Sequence, residues 1–172
     1  MDELSYTEIA DWRVFEDLVA DYFREVKQDN EYNVDSVEVR QTGKGSDGGR
    51  DIVVTLTLDD SVMPFKRIWV IQCKFHASEI GKSDISDVNI PTLLHEYKAN
   101  GYLLVCKSDV SARLTESFER LNDNCKFGFK YHYWNGNNLL SRIRFKDKLI
   151  EHYFPKHAEY LKSKEKFADE IK

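Results

Sequence analysis

Three side chains of this sequence are of types, and at spacings, that suit metal-dependent chemistry. Asp51 follows a glycine-rich stretch, and the run 70–75 places Gln72 and Lys74 two residues apart. Because side chains alternate along a strand, Gln72 and Lys74 should share one face. A hard cation such as Mg²⁺ prefers oxygen ligands, which Asp51, the Gln72 amide and the Cys73 backbone carbonyl could supply. The sequence therefore predicts a magnesium site, in which Mn²⁺ could substitute.

Lys74 and Glu16 are the candidate groups for handling water at this site. A lysine ammonium beside the metal could orient or deprotonate a water. Glu16 falls within the apolar stripe of the first predicted helix, where a lone buried charge would be costly. It must therefore be paired, protonated or used in chemistry, for example by contacting a water on the metal or a second ion. Together these residues fit the attack of an activated water on phosphorus.

The elements that must position these residues follow from the hydrophobic patterning. Ser5-Tyr6-Thr7-Glu8 has capping-box spacing and predicts a helix reaching about Lys27, with Trp12 in its apolar stripe. Strands are predicted over 34–40, 52–58, 67–75, 102–106 and 127–134. Further helices are predicted over 83–100, kinked or split in two at Pro91, from a cap at Asp109 or Ser111 to Leu121, and over 139–153. This order predicts an α/β (α+β) fold, with a central mixed β-sheet flanked by helices.

Composition narrows the class of protein. The chain has 172 residues, of which 41% are hydrophobic, and a net charge of −5, as expected of one globular domain. Apolar runs such as Leu103-Leu104-Val105-Cys106 are far shorter than the roughly 18 residues of a membrane span, so no membrane association is expected. The three cysteines are widely spaced and odd in number, which predicts reduced thiols and a cytoplasmic location.

The motifs, taken in order, resemble those of a known family. Phe15-Glu16-Asp17-Leu18, the run 45–53 (Gly-Ser-Asp-Gly-Gly-Arg-Asp-Ile-Val) and Gln72-Cys73-Lys74 are similar to the Mrr-type restriction endonuclease domain of the PD-(D/E)XK nuclease superfamily. Gly101-Tyr102-Leu103-Leu104-Val105, followed by Lys107-Ser108 and a helix, extends the resemblance over about residues 10–150. The resemblance implies a restriction-endonuclease-like αβββαβ core.

The resemblance also implies roles for individual residues. Asp51 would be the metal-binding aspartate that ends the glycine-rich motif, and Gln72 and Lys74 would stand in a Gln-x-Lys version of the commoner Glu-x-Lys pair. Glu16 would be the glutamate of the first helix, so that Glu16, Asp51, Gln72 and Lys74 form the catalytic set. Because Gln72 is neutral, the metal affinity should be lower than in the Glu-x-Lys form unless Glu16 contributes.

The implied activity is that of an Mg²⁺-dependent endodeoxyribonuclease, acting on DNA in restriction or anti-phage defence. Residues 1–155 would form the nuclease domain and 156–172 a charged tail or linker. The candidate DNA contacts are Lys44, Arg50, Lys107 and Ser108. A homodimer is expected for double-strand cutting, and an additional sensor, reader or ATPase domain or subunit is possible in this family.

Several alternatives stay open from the sequence. Asp51 could cap a turn, Gln72 and Lys74 could form an exposed strand face, and Glu16 could be a paired core acid. The loop cations Lys44 and Arg50 could equally be solvated surface charges. The protein could also be a junction-resolving or repair nuclease, or a catalytically inactive nucleic-acid-binding module. An interaction scaffold is supported by residues 1–35, which carry 11 acids and 3 bases.

Overall fold

A five-stranded mixed sheet forms the centre of the protein, a computed structural model of which describes residues 4–28, 33–41 and 51–170. The strands lie side by side in chain order: β1 (Val34–Gln41), β2 (Ile52–Asp59), β3 (Pro64–Lys74), β4 (Gly101–Cys106) and β5 (Lys130–Trp134). The first three pair antiparallel, whereas β3, β4 and β5 pair parallel. Every residue of β4 is buried, as its unbroken apolar sequence predicts. The expected mixed sheet is confirmed.

Helices cover both faces of this sheet. One face, here called the α1 face, packs against α1 (Trp12–Glu25), α4 (Gly136–Ile143), α5 (Asp147–Tyr153) and α6 (Pro155–Glu170). The other, the α3 face, packs against α2 (Ile90–Glu96) and α3 (Ala112–Asn124). Alternation along β4 divides its side chains, with Leu103 on the α1 face and Tyr102 on the α3 face. None of the helices among the described residues is long and apolar enough to cross a membrane.

The start of the first helix differs from the prediction. Tyr6–Glu8 forms a short 3₁₀ helix, and α1 begins only at Trp12. Asp11 caps α1 by accepting a hydrogen bond from the backbone N–H of Val14 at 3.0 Å. Trp12 is 51% exposed and lies outside the core, whereas Phe15 is fully buried. The predicted capping box at Ser5 to Glu8 is wrong because an aspartate nearer the apolar stripe provides the stronger cap.

Two prolines lie in the first turns of helices. The helical region predicted over 83–100 is split in two, as one of the two expected outcomes at Pro91, into a 3₁₀ helix, Lys82–Ile85, and α2, and Pro91 lies in the first turn of α2. Pro155 is the first residue of α6. Proline fits a first turn because its missing N–H would have no helical partner there.

Other predicted bounds also shift. The helix predicted over 139–153 is two helices, α4 and α5, separated by Arg144 to Lys146. The strand predicted to start at Phe127 starts at Lys130, and Phe127 is 72% exposed.

The C-terminal segment is tied to the start of the chain. The Glu8 carboxylate accepts hydrogen bonds from the backbone N–H groups of Lys156 at 2.8 Å and His157 at 3.2 Å. It thereby satisfies two of the donors that every helix leaves open at its N-terminus. Ala158 is buried in the cluster on the α1 face. Residues 155–170 are thus helical, and their separation from residues 1–155 as a tail or linker stays a prediction.

Candidate active site

Asp51 and Gln72 lie opposite each other at one end of the sheet. Ile52 of β2 pairs with Ile71 of β3 in an antiparallel register, which places the preceding Asp51 opposite the following Gln72. The backbone N–H of Asp51 donates to the Ile71 carbonyl at 2.9 Å, and its side-chain Oδ2 accepts from the Cys73 N–H at 2.5 Å. The Asp51 carboxylate is therefore fixed against the backbone at the end of β3.

This end of the sheet is called here the polar end, defined by Asp51, Gln72 and Lys74. Gln72 is only 5% exposed, and its side-chain Oε1 accepts a hydrogen bond from the Tyr102 hydroxyl at 2.5 Å. Burial, and then the charge of Asp51, hold the pKa of Tyr102 well above its usual range, so the phenol stays protonated. The sequence analysis did not predict this role of Tyr102. A lone tyrosine in a buried apolar strand was the available signal, because a buried hydroxyl needs a partner.

Lys74 is half-buried two residues beyond Gln72, at the last position of β3. Its backbone carbonyl accepts from the Lys107 N–H at 3.0 Å, which joins the ends of β3 and β4. Burial raises the pKa of the neighbouring Cys106 thiol to about 12, and the Lys74 charge opposes that rise. Because Cys106 belongs to the cluster on the α3 face, the Lys74 ammonium and Gln72 act on the same face, as strand alternation predicts.

Glu16 lies near the polar end on the α1 face, opposite the α3 face that carries Gln72 and Lys74. It is half-buried on α1, and the partial burial expected for it is observed. The pKa of the Cys73 thiol is raised well above its usual range by burial first, then by the negative charges of Asp51 and Glu16. Cys73 packs against the cluster on the α1 face, so Glu16 lies near Cys73 and Asp51 on that side. A contact between Glu16 and Lys74 stays a prediction.

The four candidate DNA contacts are placed unequally. Lys107 follows the last residue of β4, with its ammonium 4.3 Å from the centre of the Phe75 ring. The Ser108 hydroxyl donates to the Ser78 carbonyl at 2.6 Å, so its proton holds a loop together. Lys44 and Arg50 lie outside the described residues, together with the rest of the glycine-rich stretch before Asp51. Of the four, the structure shows one cation, Lys107, at the polar end.

The donor atoms of the polar end are oxygens. Asp51 offers a carboxylate and Gln72 an amide oxygen. The Cys73 carbonyl points to the same side as its N–H, which reaches Asp51. Such a set suits Mg²⁺ or Mn²⁺, so these residues fit a hard divalent ion. Within the described ranges, no three His, Cys, Asp or Glu residues are grouped to hold a metal.

Comparison with known proteins identifies the family. The family model Mrr_cat, described as a restriction endonuclease, matches residues 8–142. The chain belongs to this restriction endonuclease family. The match runs from the 3₁₀ helix before α1 into α4, and therefore includes Glu16, Asp51, Gln72 and Lys74. A search of curated proteins finds no match.

Two solved restriction endonucleases are similar in structure. The MspJI restriction endonuclease, in complex with a 27-mer oligonucleotide, is 14% identical with a TM-score of 0.54 over 86% of this chain and 30% of that one. The DNA modification-dependent restriction endonuclease AspBHI is 14% identical with a TM-score of 0.47, over 84% of this chain and 38% of that one. This chain thus spans about a third of the length of either protein. The likeness to MspJI confirms the restriction-endonuclease fold.

Proposed function

We propose that this chain is a divalent-metal-dependent endonuclease domain that hydrolyses DNA phosphodiester bonds, with Mg²⁺ as its metal and Mn²⁺ as a substitute. One observation carries the proposal. In a chain of the restriction endonuclease family, the register of β2 and β3 brings Asp51 opposite Gln72, with Lys74 two residues beyond on the same face.

Each residue of the polar end has a role in this proposal. Asp51, Gln72 and the Cys73 carbonyl would hold the ion, which when bound supplies Lewis-acid polarisation of the phosphate. The Lys74 ammonium would orient the attacking water and donate hydrogen bonds to the phosphate as negative charge develops on it. Glu16 would hold a second water or ion from the side of the α1 face.

The DNA backbone would lie across the ends of β3 and β4. Lys107 is the described cation best placed to contact a phosphate beside the cut, because its backbone is bonded to Lys74. Ser108, Lys44 and Arg50 complete the proposed contacts. Such contacts fix the register of the DNA without reading its sequence.

The biological setting is part of this proposal and is supported by the match to the restriction endonuclease family. Restriction or anti-phage defence in the cytoplasm would give a DNA nuclease its substrate. One site hydrolyses one strand, so cutting both strands calls for a homodimer, which light scattering during size-exclusion chromatography would detect. An additional sensor, reader or ATPase domain or subunit would direct the cut.

A plasmid assay tests the activity. Supercoiled plasmid should be nicked and linearised with Mg²⁺, and should stay intact with a chelator or with Asp51→Asn in place of the wild type. DNA binding without any cleavage in Mg²⁺ or Mn²⁺ would overturn the proposal and identify a binding module. Much faster cutting of a four-way junction than of a linear duplex would instead identify a junction-resolving nuclease.

A further inference from the structure

A buried tyrosine on β4 holds the side chain of Gln72. The Tyr102 hydroxyl donates to Gln72 Oε1 at 2.5 Å, and Tyr102 has no exposed surface. The parallel register pairs Tyr102 with Val70 and Gln72 with Leu104, so the two residues are diagonal neighbours on the α3 face. The tyrosine ring packs edge-on against Phe118 of α3, with the ring centroids 6.1 Å apart. The hydroxyl is therefore held by the core itself.

We infer that Tyr102 is a positioning residue for the metal site: its hydroxyl fixes the Gln72 amide so that the oxygen is presented to the ion together with Asp51. This inference rests on the proposed function, in which Gln72 is a metal ligand. Tyr102 itself does not contact the ion or the substrate.

The chemistry of an amide explains why such a residue is needed. A glutamate in this position would be drawn to a cation by its charge, whereas a glutamine has only a dipole, whose attraction depends on orientation. The amide oxygen has two lone pairs, so it can accept from Tyr102 and still bind an ion. A side chain that is already held loses less conformational freedom when the ion binds. Hydrogen bonds from outer groups to metal ligands act in this way in other metal sites.

The neighbouring strand provides a matched control. Tyr131 of β5 pairs with Tyr102 in the parallel register and is buried in the same cluster. Its ring also packs against Phe118, with the ring centroids 6.1 Å apart. Among the described residues, its hydroxyl has no hydrogen-bond partner, and its ring lies against Phe118 rather than against Gln72. Tyr131→Phe therefore removes the same atom from the same cluster without affecting Gln72.

The first experiment measures metal binding without DNA. Calorimetric titration of the full chain with Mn²⁺ should show about tenfold weaker binding for Tyr102→Phe, the lower end of the effect of losing an outer hydrogen bond to a metal ligand. Tyr131→Phe should bind Mn²⁺ like the wild type. The Mg²⁺ concentration for half-maximal cleavage should rise by the same factor in Tyr102→Phe, while the rate at saturating Mg²⁺ stays near the wild-type rate. Equal Mn²⁺ affinity of the two tyrosine variants would overturn the inference.

A double-mutant cycle separates positioning from a general effect on folding. Gln72→Leu combined with Tyr102→Phe leaves neither polar partner alone in the core, so the double variant folds even where Tyr102→Phe alone is unstable. If Tyr102 acts through Gln72, the double variant binds Mn²⁺ as Gln72→Leu does. A further loss of affinity in the double variant would contradict the inference.

The outcomes also separate this inference from the proposed function. A wild type that neither binds Mn²⁺ nor cuts DNA overturns the proposed function, and the inference falls with it. A wild type that binds and cuts, with Tyr102→Phe unchanged in Mn²⁺ affinity and Mg²⁺ requirement, overturns the positioning role alone.

Discussion

The two ends of the β2–β3 hairpin carry opposite kinds of side chain. At the polar end, the half-buried Asp51 accepts a hydrogen bond from the Cys73 N–H at 2.5 Å, and the buried Gln72 accepts one from the Tyr102 hydroxyl at 2.5 Å. At the other end, called here the turn end because it holds the β2–β3 turn, Val62 is 87% and Met63 64% exposed. Burying polar groups costs stability unless each finds a partner, whereas a few exposed apolar side chains cost little. The buried Gln72 and the half-buried Asp51 each have a hydrogen-bond partner, which offsets the cost of placing polar groups there.

A cavity sharpens the contrast between the ends. It lies on the α1 face, toward the turn end, has a volume of about 280 Å³ and is lined mainly by apolar and aromatic side chains, among them Leu56, Trp69 and Trp134. The same strands therefore line an apolar cavity at one place and carry a set of oxygen ligands at another. Paired substitutions along one strand can test whether chemistry belongs to the polar end alone.

The largest expected effect is on Lys74. Lys74→Ala should lower the rate of DNA cleavage by roughly 10²–10⁴, the usual contribution of a positioned acid–base group, while leaving DNA binding nearly intact. Single-turnover cleavage and gel-shift titrations in increasing salt measure the two quantities. Lys66→Ala, on the same strand at the turn end, is the control and should cut like the wild type. Cleavage by Lys74→Ala at the wild-type rate would refute the mechanism.

The next effect is on metal binding. Asp51→Asn keeps the shape of the side chain and removes its charge, so Mn²⁺ affinity in calorimetry should fall at least about tenfold. Asp59→Asn is the matched control, because Asp59 is the last residue of β2, at the turn end, and its carboxylate accepts a hydrogen bond from the Ser61 N–H. Unchanged Mn²⁺ affinity in Asp51→Asn would remove this residue from the metal site.

Two glycine substitutions compare a close contact at the polar end with one at the start of β4, by their effects on stability and on cleavage. A Cβ on Gly136 would lie 2.0 Å from the Lys107 carbonyl oxygen, and one on Gly101 would lie 2.6 Å from the Trp69 ring. Substitution by alanine should destabilise the fold by about 1–3 kcal/mol in either case, as measured by urea unfolding. Gly136→Ala should also slow cleavage by the folded protein, since it displaces Lys107 at the polar end. Gly101→Ala, at the start of β4 and away from the polar end, should not. Equal cleavage rates for the two folded variants would contradict this difference.

The smallest effect concerns thiol reactivity. Cys106 ends β4 at the polar end, and burial raises the pKa of its thiol to about 12. Since the thiolate is the reactive form, roughly one Cys106 in 10⁴ is reactive at pH 8. Cys125, half-buried in the loop that leads to β5, should be alkylated first. Mass spectrometry after a short iodoacetamide pulse would detect this order, and labelling of Cys106 before Cys125 would contradict it.

The elements that carry the site were predictable from local pattern. Alternation along β3 correctly placed Gln72 and Cys73 on opposite faces, and the unbroken apolar run correctly marked β4 as a strand covered on both sides. The glycine-rich stretch before Asp51 predicted that this residue directly precedes β2. These features depend on periods of two residues and on neighbours in sequence.

Other features depend on contacts between residues far apart in sequence, which no local pattern encodes. Tyr102 meets Gln72 across 30 positions, and only the register of β3 and β4 brings them together. Glu8 looked like part of a capping box for the first helix, yet it caps α6 instead. Lys146 belongs to a residue type that is usually exposed, but it is 9% exposed and lies over the Tyr22 ring. In each case tertiary packing overrode the local signal.

The bond between Glu8 and α6 also sets an order of events during translation. Glu8 is made 148 residues before its partner Lys156. Cys106, where β4 ends, is synthesised 50 residues before Lys156. At the usual 5–20 residues per second, the strands of the polar end are complete about 3–10 s before α6 can be joined to Glu8. A nascent chain therefore passes through an interval in which the residues of the polar end are present but the helix that closes the α1 face is not.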